Sequence, residues 1–264
     1  MEPDVQQNSS SNVSAIARGL PWWLFIIVGG LLLFALFIML DPQRTEYYRD
    51  AFTFILPGVS LTLRVTIFSY LLALIIGLFV GLMRLSSNPI IFHLSTVYVE
   101  VMRGLPMLVI ILYAGFVIGP AVRDGSGGLY DPPMLHRAIT GLALGYGAYI
   151  SEVFRSGIQA IGKGQMEAAR SLGMGYIQAM RYIILPQAVR LILPPLGNDL
   201  IALLKDSALI SVLALEDTLQ LGRQYISRTF RAFEGYNTVA VIFLSMTLVL
   251  SLIVRYIEQR TKTG

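Results

Sequence analysis

The sequence contains no cysteine in its 264 residues, so disulfide bonds, thiolate catalysis and cysteine metal sites are excluded. It is also poor in charge: Asp, Glu, Lys and Arg make up 14% of the chain, whereas about a quarter is usual in soluble domains. Two histidines are too few for a histidine-rich metal site. The small net charge of +4 is typical of basic loops beside a membrane rather than of a protein that binds nucleic acid.

The chain is instead rich in long apolar runs. Hydrophobic residues make up 55% of the chain and cluster in blocks. Because about 20 mostly apolar residues span a bilayer as a helix, the sequence predicts an all-α polytopic membrane protein with about six spans. The predicted spans are residues 21–40, 60–83, 95–119, 136–158, 188–205 and 235–257.

Proline and glycine are predicted to interrupt this pattern at three places. At 57–58 they separate a short amphipathic segment, residues 48–56, from the second span. At 104–106 they interrupt the third span, and at 194–195 they interrupt the fifth. Breaks of this kind persist in a membrane only where the freed backbone groups face protein or a water-filled cavity. They therefore favour an oligomer that lines a passage over a simple membrane anchor.

The orientation follows from Lys and Arg, which concentrate near the cytoplasmic ends of spans. Arg255, Arg260 and Lys262 lie at or beyond the end of the last predicted span, which places that tail in the cytoplasm; Arg44 and Arg49 in the first loop fit this orientation least well. The predicted cytoplasmic parts are a polar tail at residues 1–20, the loop near 84–89, residues 162–187 and the tail 258–264, and the predicted outer parts are residues 124–133 and 214–233.

One cytoplasmic segment, EAARSLGMGYIQAMRYIILP, begins at Glu167. Lys163, Glu167 and Arg170 are spaced to share one face of a helix, and Ala168 and Ala169, with Leu172, are predicted to form a small apolar face beside it. A short amphipathic helix outside the bilayer is suited either to being gripped by another protein or to lying on lipid headgroups. The residues alone leave both alternatives open.

Glycines bound this predicted helix, which covers about residues 163–173. Gly162 and Gly164 are predicted to supply the bend after the fourth span. Gly173 and Gly175 are predicted to stop the helix, because glycine adopts positive φ without steric penalty.

Two pairs of opposite charge repeat at the depth of the membrane: Glu100 with Arg103, and Glu152 with Arg155. At i, i+3 each Glu is predicted to pair with its own Arg. One interpretation is structural, with the pairs neutralising each other and tying helices together. The other is a polar chamber for a zwitterion, in which carboxylates hold an ammonium group and Arg holds a carboxylate.

Asn198 and Asp199, on the fifth span, are candidates for further polar contacts in such a chamber. A proton-coupled secondary transporter, with Glu100 or Glu152 as the proton carrier, explains the buried charges equally well. An enzyme lacks support, because the chain contains no recognisable catalytic constellation such as H-E-x-x-H or G-x-S-x-G.

The cytoplasmic segment resembles the EAA loop of bacterial ABC-importer permeases, which reads E-A-A, three residues, G, and then I-x-L-P after nine more. The matching positions are Glu167, Ala168, Ala169, Gly173, Ile183, Leu185 and Pro186. The resemblance covers about residues 57–257, where YVEVMRGLPMLVIILYAGF and LPQAVRLILPPLGNDLIALLKDSALISVLALEDTL are similar to the polar-amino-acid branch. Leu105 and Ala208 are small departures from the residues that are more common in that branch.

This resemblance implies a type I ABC-importer transmembrane domain with a five-helix core at residues 51–257, preceded by one extra transmembrane helix at 21–40. It implies an amino-acid importer of the bacterial inner membrane that works by alternating access. The chain itself would bind no cofactor and perform no catalysis, since ATP and Mg would lie on partner ATPase subunits. The other implied partners are a second permease subunit, identical or paralogous, a solute-binding protein, the amino acid and membrane lipid, with no nucleic acid.

Two sets of site residues are expected, one from the resemblance and one from the charges at membrane depth. The residues expected to couple the chain to the ATPase are Gly164, Glu167, Ala168, Ala169, Arg170 and Gly173. The residues expected along the substrate pathway are Glu100, Arg103, Glu152, Asn198 and Asp199.

Overall fold

The structure is a computed structural model that describes residues 22–262, and all of its regular elements in that range are helical. The polar tail predicted at residues 1–20 lies outside the described residues. The described residues divide into two compact units, one up to residue 52 and the other from residue 53 onwards.

The described part of the first unit contains helix α1, Trp22–Met39, and most of helix α2, Pro42–Ile55. Asp41 lies between them, and its Oδ1 accepts hydrogen bonds from the backbone N–H of Gln43 at 2.9 Å and of Arg44 at 3.4 Å. This capping starts α2 and accompanies a bend of 119° between the helices. The two helices are together long and apolar enough to cross a membrane, but the bend interrupts that span. The extra transmembrane helix at 21–40 therefore stays a prediction.

The second unit contains ten α-helices within its described residues. Its first half comprises α3 Gly58–Met83, α4 Pro89–Gly104, α5 Met107–Tyr113, a π-helical turn Ala114–Ile118, α6 Gly119–Gly125 and α7 Met134–Gln159. Its second half comprises α8 Lys163–Ser171, α9 Tyr176–Ala179, a second π-helical turn Met180–Ile184, α10 Leu185–Asp206, a 3₁₀ turn Ser207–Leu213, α11 Thr218–Thr229 and α12 Ala232–Lys262.

Three continuous helical segments in the described range are long and apolar enough to cross a membrane by themselves: Gly58–Met83, Met107–Gly125 and Ala232–Gln259. The bent pair α1–α2 would make a fourth. The count of six spans therefore stays a prediction. It depends on α7 and α10, which carry the charges and prolines discussed below and so fall short on composition.

The break predicted at 104–106 is confirmed. Helix α4 ends at Gly104, and Leu105 is extended with φ −97° and ψ 140°. Pro106 forces this conformation on the residue before it and then precedes the first residue of α5. The span predicted at 95–119 is consequently displaced, because the continuous helical segment after the break runs over Met107–Gly125.

The break predicted at Pro194 and Pro195 is wrong, because α10 runs without interruption from Leu185 to Asp206 with both prolines inside it. Proline's fixed φ of about −65° is itself helical, and what proline removes is a backbone donor. In a membrane the surrounding helices can compensate for that loss. Proline alone therefore did not indicate an end to this helix.

Two clusters of buried residues form the core, and both include residues of α7. Near the start of α7, Ala138 and Leu142 pack with Ile210 and Leu213 of the 3₁₀ turn. Towards its end, Ile150 packs with Ile192 and Leu196 of α10. Small residues let α3 approach α7 closely: a Cβ built on Gly81 would lie 2.8 Å from the carbonyl oxygen of Ser151. The end of α7 that leads into α8 is thus the opposite end from the 3₁₀ turn.

Candidate coupling segment and polar pathway

Helix α8 is the predicted coupling helix, and it is held at both ends by backbone geometry. Gly162 is extended, with φ −55° and ψ 138°, and makes the bend before the helix. At the other end Gly173 has a φ of 82°. Its N–H donates to the carbonyl of Arg170 at 2.9 Å, and the N–H of Met174 donates to the carbonyl of Ala169 at 3.1 Å. These two bonds form a Schellman motif, so the prediction that Gly173 ends the helix at positive φ is confirmed.

Two of the glycine predictions are wrong. Gly164 lies inside the first turn of α8, so it does not contribute to the bend. Gly175 has φ −67° and ψ 160°, which any residue adopts, and it precedes α9. The reversal after α8 needs only one residue at positive φ, and Gly173 supplies it.

The surface of α8 also differs from the prediction. Ala169 is buried, with 3% of its surface exposed, whereas Ala168 is exposed together with Glu167 and Arg170. The predicted apolar face is therefore split, because the two adjacent alanines point to different sides. Leu172 is 85% exposed, and Ile177 at the start of α9 is 79% exposed. We call the exposed residues Glu167, Ala168, Arg170, Leu172 and Ile177 the coupling surface.

The predicted pair of Glu152 and Arg155 is confirmed, and a third residue joins it. Arg155 donates to both carboxylate oxygens of Glu152, by Nε at 3.2 Å and by Nη2. Nη1 of Arg84, which follows the end of α3, donates to the same carboxylate. Glu152 therefore ties the end of α3 to α7 through Arg84, while Arg155 binds it from within α7. Sequence reasoning missed Arg84 because it is 68 positions away from Glu152 and was placed in a loop.

The predicted pair of Glu100 and Arg103 is not formed. Both side chains are exposed, and in residues 22–262 Glu100 forms no ion pair. The guanidinium carbon of Arg103 lies 5.6 Å from the ring centroid of Tyr149 on α7. An exposed i, i+3 pair gains little in water, whereas an aromatic face also attracts a guanidinium.

Asp199 is partly buried on α10, and its Oδ2 has no hydrogen-bond partner within the described residues. The hydroxyl groups of Tyr70 on α3 and Tyr146 on α7 both reach the same helix. The Tyr70 hydroxyl donates to the carbonyl of Leu196 at 2.8 Å. Asn198, the neighbour of Asp199, is exposed instead.

Asp206, at the end of α10, completes this group. Its Oδ2 accepts a hydrogen bond of 2.8 Å from the hydroxyl of Tyr146. Asp199 and Asp206 are seven residues apart, about two turns, and so lie on one face of α10. Sequence reasoning missed Asp206 and both tyrosines. Two acidic residues at that spacing in an apolar helix were the signal that could have identified this face.

Asp217 is a fully buried carboxylate outside the predicted spans. It caps α11, accepting from the backbone N–H of Gln220 at 2.9 Å and of Leu219 at 3.3 Å. Beside it the hydroxyls of Thr62 and Thr218 are 2.9 Å apart, which joins α3 to α11. Burial raises the pKa of Asp217 to about 6, although the backbone N–H groups act in the opposite direction.

An all-helical bundle with polar groups on its inner helices, and with a capped amphipathic helix between α7 and α10, is suited to a membrane protein that lines a passage. The family described as "binding-protein-dependent transport system inner membrane component" matches residues 73–263. The chain belongs to this family of ABC-transporter permease subunits, and it is therefore an integral component of the inner membrane. Family membership sets aside the alternative of a proton-coupled carrier.

Individual relatives are similar over most of their length. The glutamine transport system permease protein GlnP of Escherichia coli K12 is 36% identical over 212 residues, covering 80% of this chain and 94% of that protein. The probable glutamine ABC transporter permease protein GlnM of Bacillus subtilis is 35% identical over 213 residues, with the same coverage.

Solved structures agree on the fold. The crystal structure of an amino acid ABC transporter with histidines has a TM-score of 0.72 at 37% identity, covering 83% of this chain and 98% of the other. An inward-facing methionine ABC transporter, MetNI, has a TM-score of 0.66 at 23% identity over 79% of this chain. The fold is thus that of a type I ABC-importer permease.

Proposed function

We infer that this chain is the permease subunit of an ATP-driven importer that moves amino acids across the inner membrane by alternating access. The relatives named above as glutamine permeases, and the solved amino acid transporter, support the amino acid as substrate. The observation that carries the mechanism is the coupling surface, an exposed and partly apolar patch on a rigidly capped helix between two predicted spans.

The coupling surface is proposed to fit a groove on an ATPase subunit that carries ATP and Mg. Leu172 and Ile177 expose most of their surface, and exposed apolar side chains close together in the sequence favour a protein partner. Glu167 and Arg170 would then pair with charges of that partner. Because the N–H groups of Gly173 and Met174 close the end of the helix, movement of the ATPase would be transmitted to α7 and α10 without unwinding α8.

The other partners follow from the same architecture. A second permease subunit, identical or paralogous, would complete the passage, and a solute-binding protein would deliver the amino acid on the side away from α8. Exposed apolar faces of the spans would contact membrane lipid or that second subunit. Catalysis would rest entirely with the ATPase, and this chain would bind no cofactor of its own.

The substrate pathway is proposed to pass along the polar face of α10. Asp199 is its best-supported member, because a carboxylate oxygen without a partner is suited to an ammonium group. Arg103 would receive the carboxylate of the zwitterion, and Asn198 and the exposed Glu100 would add contacts to its ammonium group. Glu152 is fully engaged by two arginines, which supports a structural role for it at the end of this pathway.

The test is Leu172→Asp in the assembled complex, reconstituted in proteoliposomes with ATPase and solute-binding protein. A charge in the middle of an apolar contact should lower ATP-driven amino-acid uptake by at least about tenfold while leaving membrane insertion intact. Leu129→Asp is the matched control, because Leu129 is 94% exposed in the loop before α7, away from α8. Normal uptake by Leu172→Asp, or equal losses in both variants, would contradict the proposal.

A further inference from the structure

An open cavity of about 540 Å³ lies beside α11 and has a mainly polar lining. We call it the Arg223 cavity. Hydrogen-bonding side chains from α11 and from the 3₁₀ turn face it, with Ala214 between the two elements. These side chains are Ser211, Gln220, Arg223, Gln224 and Ser227.

The cavity lies at the opposite end of the helix bundle from the coupling surface. Leu213, in the turn that carries Ser211, packs with Ala138 near the beginning of α7. Helix α8 follows the other end of α7. If α8 meets an ATPase in the cytoplasm, the Arg223 cavity opens towards the side from which substrate arrives.

The cavity contains a guanidinium group that has no partner in the described part of the chain. Arg223 is exposed and takes part in no hydrogen bond, ion pair or ring contact within residues 22–262. Arg228, one and a half turns further along α11, instead stacks 5.0 Å from the ring centroid of Phe54. Glu216, in the turn before α11, accepts a hydrogen bond of 3.4 Å from Gln224.

The backbone opposite Arg223 is held in an unusual conformation. Ala214 has a φ of 56°, in the left-handed region that side chains other than glycine rarely adopt. Its N–H donates to the carbonyl of Ser211 at 3.0 Å, which closes the 3₁₀ turn. Strain of this kind persists where the surrounding structure fixes it, and it concentrates at ligand sites. Here it sets Ser211 across the cavity from α11.

We propose that the Arg223 cavity is an entry site that binds the α-carboxylate of the incoming amino acid before it reaches Asp199. The planar guanidinium binds a carboxylate through two parallel hydrogen bonds, and the Gln220 amide and Ser211 hydroxyl supply further donors. The cavity is open rather than enclosed, as a transient site must be to release its ligand. This proposal rests on the proposed function, because it requires that the chain conducts amino acids.

The experiment uses the complete complex in proteoliposomes and a radiolabelled mixture of the common amino acids. Arg223→Gln should lower uptake at subsaturating loaded binding protein by about tenfold, since a hydrogen bond to a charged group is lost. Arg223→Lys keeps the positive charge but not the planar guanidinium, so its loss of uptake should be smaller. Arg228→Gln is the matched control, because it removes the same charge from the same helix outside the cavity.

A cysteine variant tests the sign of the charge directly. The chain contains no other cysteine, so Arg223→Cys offers the only thiol of this subunit, and unmodified complex treated in parallel controls for thiols of the partners. Modification with a cationic aminoethyl thiosulfonate should restore uptake, whereas an uncharged methyl reagent should not. Equal uptake after both reagents would overturn the proposal, and so would equal uptake by Arg223→Gln and Arg228→Gln.

A second measurement separates the amino acid from a carboxylate side chain on the binding protein. The concentration of loaded binding protein that half-saturates ATP hydrolysis should be unchanged in Arg223→Gln. A raised half-saturation with normal maximal uptake would assign Arg223 to protein docking and overturn the entry site. Absence of ATP-driven uptake in the unmodified complex would instead contradict the proposed function itself.

Discussion

The two Glu-x-x-Arg repeats are identical in spacing and differ in structure. On α7, Glu152 binds Arg155 and also receives Arg84 from the end of α3. On α4, Arg103 turns away from Glu100 and lies over the ring of Tyr149. The spacing makes a pair possible, and the neighbouring helices decide whether it forms. A motif within one helix therefore supplies only part of an ionic site, and neighbouring helices supply the rest.

Burial explains the difference. The Arg84 side chain is only 11% exposed, so its charge requires a partner, and the carboxylate of Glu152 is the partner in reach. Glu100 and Arg103 both remain exposed at the end of α4, where the chain breaks before α5. Their charges can be solvated or met by another molecule, so no pairing is enforced. That freedom is why the α4 pair is the better candidate for substrate contact.

Glu152→Gln is expected to have the largest effect on stability. It leaves Arg84 and Arg155 facing each other without a carboxylate. We expect a loss of about 2–3 kcal/mol in the stability of the assembled complex, somewhat below the 3–5 of fully buried pairs because 29% of the Glu152 side chain is exposed. Thermal unfolding and amino-acid uptake should be measured on the same preparation.

Glu100→Gln is the matched control for that change. It should leave stability unchanged, because Glu100 forms no ion pair in the described residues, while lowering uptake if it contacts substrate. Equal losses of stability in both variants would contradict the claim that only Glu152 is held in an ion pair. Normal stability with lost uptake in Glu152→Gln would instead return Glu152 to the substrate pathway.

Much of this fold was predictable because membrane helices can be recognised in a sequence by their length and apolar composition. The break before α5 and the end of α8 were predicted at the right residues, since proline and positive-φ glycine act locally. The course of α10 was not, because the neighbours that let a helix keep two prolines are distant in sequence. The third member of the Glu152 network was missed for the same reason, since Arg84 reaches it from another helix.

Asp217 extends the comparison to a buried carboxylate that has backbone donors instead of arginine. Because burial raises its pKa to about 6 in the folded state, the protonated form favours folding. Stability should therefore fall as the pH rises through about 6, by about 1 kcal/mol between about pH 5 and pH 7. Asp217→Asn keeps the cap on α11 and should abolish this part of the pH dependence. Identical pH profiles of thermal unfolding for the two proteins would refute it.

Gly173 and Gly175 are also residues of one type in two different backbone conformations. Gly173→Ala places a side chain at a φ of 82° and should cost about 1 kcal/mol. Gly175→Ala should cost little, because that residue has an ordinary φ of −67°. Amide hydrogen exchange at Met174, whose N–H closes α8, should become faster in the first variant only. Equal exchange in both would show that the Schellman motif does not hold the helix end.

The smallest expected effect tests what holds Arg103. If the ring of Tyr149 attracts it, Tyr149→Phe should keep the contact and Tyr149→Leu should lose it, at about 0.5 kcal/mol for an exposed cation–π pair. A double-mutant cycle isolates that energy from the general effect of each substitution. The cycle of Arg103→Gln with Tyr149→Leu should give a coupling near that value, and the cycle of Arg103→Gln with Glu100→Gln should give none. The reverse result would mean that Arg103 pairs with Glu100 in the membrane, as Arg155 does with Glu152, and the two repeats would then be alike.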